Sequence, residues 1–91
     1  MPEKRRVILS PTAVADLDAV YDPLHARIVK RLHLLSRFPE LGSPMGREFT
    51  GWRQSPVVIF RIIYRVTPHA IEVAYIRHCK RRLPHPPEEP V

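Results

Sequence analysis

The segment from Val57 to Val66 constrains this chain more than any other. It reads VVIFRIIYRV, with Val58, Phe60, Ile62, Tyr64 and Val66 on one side of a period of two. Val57, Ile59, Arg61, Ile63 and Arg65 fall on the other. Strand side chains alternate between faces, so the pattern predicts one strand with an all-apolar face that must be covered. The opposite face then presents both Arg61 and Arg65, with Ile63 between them.

The remaining elements follow from turn and helix signals. Arg6-Val7-Ile8-Leu9 reads as a first strand. Ser10-Pro11 is a helix start: the hydroxyl caps free N–H groups, and proline suits the first helical position. Ala13, Leu17 and Tyr21, with Val14, form a helical face. Pro23 ends or restarts that helix. Leu24, Ile28, Leu32 and Leu35 then predict a second amphipathic helix to about Arg37, antiparallel to the first. Phe38 to Gly51 is a turn-rich connection holding Pro39, Gly42, Pro44 and Gly46. A strand starts near Trp52, with an interruption or bulge at Pro56. Thr67-Pro68-His69-Ala70 is a hairpin connection, and Ile71 to Arg77 is the next strand. The expected fold class is α+β. It has an N-terminal strand at a sheet edge, a two-helix hairpin, and an antiparallel sheet of about three further strands covered on one face. A single domain is expected over residues 1–83. Residues 84–91, PHPPEEPV, are expected to form a disordered Pro-rich tail.

Charge points to a class of partner. The net charge is +6 over 91 residues. Residues 23–82 hold twelve Lys and Arg against Glu40, Glu48 and Glu72, a local excess of +9. Such a field suits a polyanion or an acidic protein. Two helices are too few to cover both sheet faces, so Arg61 and Arg65 are expected in an open basic concavity. There the planar guanidinium can fork onto phosphate oxygens. The alternative is that they pair with Glu48 or Glu72 as surface charges. Arg77-His78-Cys79-Lys80-Arg81-Arg82 is a second cationic cluster, at the end of the last strand. It can anchor a nucleic-acid backbone, and His78 can serve as acid or base, or be an ordinary strand end. Glu48 is the one carboxylate near the entry to the sheet placed to act as a base, against the plain alternative of a solvated loop glutamate.

Other chemistries are not supported. The five histidines lack metal-ligand spacing, and Cys79 is the sole cysteine, so no zinc site and no internal disulfide are expected. There is no Gly-rich phosphate loop. No metal or cofactor is expected. Trp52 reads as a core anchor. No apolar run is long enough to span a membrane, and Met1 to Arg6 leads straight into the first strand, so a cytoplasmic location without membrane contact is expected.

Taken together, Leu9-Ser10-Pro11-Thr12-Ala13 with Asp16-Leu17, Phe38-Pro39-Glu40-Leu41-Gly42-Ser43-Pro44, Gly51-Trp52-Arg53, Phe60 to Val66, and Ile76-Arg77-His78 with Arg81 form an ordered set. At these spacings, over roughly residues 7–82, the chain resembles the RelE/ParE toxin superfamily. The resemblance implies a toxin of a type II toxin–antitoxin pair, held in a hetero-oligomeric complex by a cognate antitoxin. It implies two alternative targets. RelE-like members cut mRNA in the ribosomal A site without metal, by attack of the ribose 2′-hydroxyl on the neighbouring phosphate. ParE-like members poison DNA gyrase and are not nucleases. A third possibility is a degenerate member that only binds its antitoxin. On the ribonuclease template, the favoured one, Arg61, Arg65, His78 and Arg81 would be catalytic. Arg53, Arg77, Lys80 and Arg82 would hold RNA phosphates. The short helical hairpin is similar to the RelE side, and the His78-x-x-Arg81 ending to the ParE side. The tyrosine that follows the last strand in some nuclease members is absent, as is their lysine pair before the central strand.

Overall fold

The computed structural model describes residues 4–87. Strand β1 (Arg6–Leu9) leads into helices α1 (Pro11–Asp18) and α2 (Leu24–Arg37). Short 3-10 turns at Pro39–Leu41 and Arg47–Phe49 flank the two-residue strand β2 (Ser43–Pro44). Strands β3 (Arg53–Val57), β4 (Phe60–Val66) and β5 (Ala70–His78) complete one sheet of order β1-β5-β4-β3-β2. Only the β1–β5 pairing is parallel. The α+β architecture is the one expected, with β1 at an edge and both helices on one face.

The main core lies between sheet and helices. Ile62 and Tyr64 of β4, Ile71, Val73 and Ile76 of β5, and Ile28, Leu32 and Leu35 of α2 are buried there together. Phe60 and Val66 pack against the same cluster. Burying such aliphatic side chains contributes about 1.5–3 kcal/mol each. The covered face is therefore the one that the period of two marks.

Helix α1 also seals the sheet. Strand β1 stops pairing at Leu9 opposite Val73, leaving the far edge of β5 open. Ser10 N–H donates to the Val73 carbonyl at 2.9 Å and the Ser10 hydroxyl to the Ala74 carbonyl at 2.7 Å. Asp16 Oδ2 accepts the Ile76 N–H at 3.0 Å. The same Ser10 hydroxyl caps α1 by accepting Ala13 N–H. Edge groups that would otherwise pair with another chain are thus satisfied internally.

Three local expectations are corrected. First, Val57 to Val66 is not one strand. It breaks at Val58-Ile59, a two-residue hairpin between β3 and β4, and Val58 adopts φ 57°. Val58 and Ile59 are 56% and 45% exposed, off the apolar face. A β-branched residue at positive φ costs on the order of 1–3 kcal/mol. Val58→Asn, which tolerates that conformation, is expected to raise Tm by about 4–8 °C in a thermal melt. An unchanged or lower Tm would contradict the assignment of strain to this turn. Second, α1 ends at Asp18, so Tyr21 leaves its face and stands 86% exposed; Val20 is buried in its place. Third, the outer sheet face is not bare. Phe49, Trp52, Ile63, Ala74 and Tyr75 form a second buried cluster, with Met45 and Leu83 packed on it. The segment after Gly42 folds back over the sheet and supplies Phe49 and Trp52. The Pro-rich tail is described only to residue 87; residues 88–91 lie outside the described residues.

Candidate functional site

A bulge decides which side chains reach the outer face. Ile63 pairs with Tyr75 but Tyr64 with Val73, so Ala74 is the extra residue of β5. Beyond it the alternation of β5 is reset. Tyr75 and Arg77 point outward beside Ile63 and Arg61, while Ile76 joins the helical core. Arg61 and Arg77 are direct cross-strand partners. Two like charges so placed repel unless each finds a partner.

They resolve this unequally. Arg77 Nε donates to Asp16 Oδ2 at 3.1 Å, and its guanidinium carbon lies 5.4 Å from the Tyr75 ring centroid. Arg61 has no carboxylate within ion-pair distance among the described residues. Its Nη2 donates to the Arg81 carbonyl at 3.1 Å, and its Nη1 to Gln54 Oε1 at a long 3.4 Å. Its Nε–H is buried without any acceptor, the one such side-chain atom among the described residues. An unmet buried donor on a cation costs free energy.

Arg61 forms part of a cleft of about 440 Å³. Arg47 and Glu48, on the 3-10 turn before β3, form one wall; Lys80, Arg81 and Arg82, after β5, form the other. Five cations and a single carboxylate share this space. Arg47 is held at φ 57°, a strained backbone that sequence pattern does not reveal. Glu48 lines the cleft with Arg61 and is exposed to solvent.

The other candidate residues lie elsewhere. Arg65 is locked to Glu72, with its Nε and Nη2 both donating to Oε1 at 2.9 and 2.6 Å. Its guanidinium also covers the Trp52 ring at 4.6 Å. The Glu72 pairing is the surface-charge alternative. Arg53 Nη1 donates to the Gly42 carbonyl at 2.6 Å, holding the connection to the sheet. His78 pairs with Phe60 on the helical side of the sheet, ring edge to ring face with centroids 5.8 Å apart. Its Nδ1 accepts Lys80 N–H at 3.1 Å. The structure therefore brings together Arg61, Lys80, Arg81 and Arg82 with Glu48 and Arg47. Arg53, Arg65, Arg77 and His78 do not line the cleft, although Arg77 stands beside Arg61 across the β4–β5 pair. Cys79 is exposed in the same cleft.

Chemically, the cleft can hold a phosphate between forked donors and offers one carboxylate as proton acceptor. Lys80 is its one lysine and no imidazole lines it. No three His, Cys, Asp or Glu side chains come together among the described residues. No helix among them is long and apolar enough to cross a membrane.

Comparison with known proteins agrees with this fold. A family model described as "ParE toxin of type II toxin-antitoxin system, parDE" matches residues 7–83. No curated protein matches the chain. A chain of the RelBE2 toxin–antitoxin complex from Mycobacterium tuberculosis superposes with a TM-score of 0.78 at 25% identity, over 84% of this chain and 99% of that one. A chain of the chromosomal ParDE system from P. aeruginosa gives 0.68 at 22% identity, over 85% and 98%. A chain of the archaeal RelE–RelB complex from Pyrococcus horikoshii gives 0.70 at 19%, over 88% and 100%. The last two likenesses establish the fold alone.

Proposed function

The chain belongs to the ParE toxin family of type II toxin–antitoxin systems, and on that premise we propose that it is a metal-independent endoribonuclease that cuts mRNA on the ribosome and is silenced by a cognate antitoxin. The observation that carries this reading is that Arg61, with no carboxylate partner among the described residues, lines a cleft that also holds Glu48, Lys80 and Arg81. Arg65 and Arg77, outside the cleft, each pair with a carboxylate. Arg61 has none, and its remaining Nη hydrogens, beyond the bonds to Gln54 and the Arg81 carbonyl, serve the ligand.

The proposed step is a transesterification. The ribose 2′-oxygen bonds to the adjacent phosphorus, and the bond from phosphorus to the 5′-oxygen breaks. Glu48 takes the 2′ proton, and Lys80 supplies a proton to the departing 5′-oxygen. The products are a 2′,3′-cyclic phosphate and a 5′-hydroxyl. Arg61 and Arg81 donate to the phosphoryl oxygens, whose charge grows in the transition state. Arg47 and Arg82 hold flanking phosphates.

One observation favours a second reading, a gyrase poison. His78 faces Phe60 rather than the cleft, so no imidazole is available for proton transfer there. Expression without antitoxin separates the readings. The nuclease reading expects early arrest of protein synthesis with cut mRNA. Intact mRNA with DNA-damage signalling and gyrase co-purification would support the poison instead. A harmless chain would leave only antitoxin binding.

Arg65 provides a control within the same fold. Arg65→Ala removes an ion pair in which two donors share one carboxylate oxygen, and a cation–π contact, both part-buried. After discounting for solvent screening the loss is about 1–2 kcal/mol, or roughly 4–16 °C in Tm. Cleavage measured below the melting range is expected to stay within about threefold of the parent, since a residue outside the cleft contributes no transition-state contact. A 100-fold loss of cleavage with an unchanged Tm would instead place Arg65 in the reaction.

A further inference from the structure

The outer face of β5 carries a latch that the cleft depends on. After β5 the chain turns at Cys79-Lys80 and runs back over the sheet. Leu83 packs on the second cluster, and the Tyr75 hydroxyl donates to the His85 carbonyl at 2.6 Å. Tyr75 is itself buried, with its ring on the bulged segment of β5. Pro84, Pro86 and Pro87 lack N–H groups, so this strap cannot be held by strand pairing. Leu83 and the Tyr75 hydroxyl are its observed attachments. The residues between β5 and those attachments include Lys80, Arg81 and Arg82, one wall of the cleft. The Arg81 carbonyl is also an acceptor for Arg61.

We infer that Tyr75 is a positioning residue: its hydroxyl, 2.6 Å from the His85 carbonyl, latches the strap and so holds Arg81 and Arg82 over Arg61 for an RNA phosphate. This rests on reading the cleft as a phosphate site. The strap's prolines restrict its free conformations, so two weak attachments suffice to order it. Ordering the backbone that carries the two arginines before the ligand arrives lowers the entropic cost of binding. Nothing in the sequence pattern marks Tyr75 for this role, because without the bulge at Ala74 its ring would face the helices.

The test uses a fluorescent 2′-O-methyl oligoribonucleotide, which lacks the attacking hydroxyl, titrated against the whole chain at several salt concentrations. Tyr75→Phe keeps the ring beneath Arg77 and removes only the latch. It is expected to weaken binding roughly three- to tenfold. The slope of log K against log salt should flatten by about 0.7 for each phosphate that the strap arginines no longer neutralise. Amide exchange at Arg81, whose N–H donates to the His78 carbonyl at 3.0 Å, should quicken while Tm falls only a few degrees. Leu83→Ala, which frees the strap from its other attachment, should reproduce the shift in slope. Arg61→Ala runs alongside as the control for the cleft. If Arg61→Ala weakens binding but both strap variants keep the parental affinity and slope, the latch is wrong and the cleft stands. If Arg61→Ala changes nothing, the phosphate reading fails and the latch fails with it.

Discussion

Arg61→Ala is expected to slow mRNA cutting about 100- to 1,000-fold, the size of effect seen when one preorganised donor to a developing oxyanion is removed. Stability should move little or rise slightly. Arg61 makes one good hydrogen bond, to the Arg81 carbonyl, and leaves a buried Nε–H unmet. Removing the side chain removes both the bond and the unmet donor. It also removes the repulsion between Arg61 and its cross-strand partner Arg77. Arg61→Lys keeps the charge but not the planar fork, so it should recover only part of the rate. A thermal melt and a timed cleavage assay on the same preparation check both halves. Loss of activity accompanied by an equal loss of folded protein would mean that Arg61 is structural.

Gly42→Ala is expected to cost about 3 kcal/mol or more and to lower Tm by roughly 12–24 °C. The reason is space, since the backbone at Gly42 is ordinary extended chain with φ −76°. A Cβ there would collide with the Tyr64 hydroxyl oxygen, and would lie 2.7 Å from Tyr64 Cε1 and 2.8 Å from the Gln54 carbonyl. Tyr64 is fully buried and cannot step aside. Its hydroxyl accepts Gly42 N–H at 2.9 Å and donates to the Pro39 carbonyl at 2.6 Å. Burial pushes the phenol's pKa up, so the group stays a neutral donor. The Gly42 carbonyl in turn accepts from Arg53. One glycine thus ties the connection after α2 to β3 and β4, and that connection leads to Arg47 and Glu48. Tyr64→Phe in the Gly42→Ala background should cost less than the sum of the single changes, because the oxygen in the collision is gone. A Gly42→Ala protein that melts within about 3 °C of the parent would refute this packing.

The architecture was legible because its signals are local. Ser10-Pro11 starts a helix, α2 repeats its leucines and Ile28 at helical spacing, and Phe60, Ile62, Tyr64 and Val66 alternate. The Val58-Ile59 turn was not legible. Its residues are β-branched and continue the alternation on either side, and only tertiary pairing forces Val58 to positive φ. The bulge at Ala74 is equally silent, since one extra apolar residue in an apolar strand leaves no trace in a period of two. That bulge turns His78 toward Phe60 and Tyr75 toward the strap, which is why the grouping of basic residues could not be read from spacing alone. Arg61 and Arg65 share a face, as their spacing requires. Which of them stays free depends on Glu72, directly opposite Arg65 across the β4–β5 pair. Glu48 and Arg47 enter the cleft through the fold of a turn-rich segment that has no periodicity to follow.

The chemistry of RNA ends tests the cleft most directly. The parent chain and Glu48→Gln, each added to ribosomes translating a defined message, would be compared by mapping the fragments and identifying their termini. The predicted result is discrete cuts by the parent, leaving 2′,3′-cyclic phosphate and 5′-hydroxyl ends, with cutting by Glu48→Gln reduced on the order of 100-fold. Uncut message on actively translating ribosomes, with gyrase supercoiling lost at the same protein concentration, would contradict it.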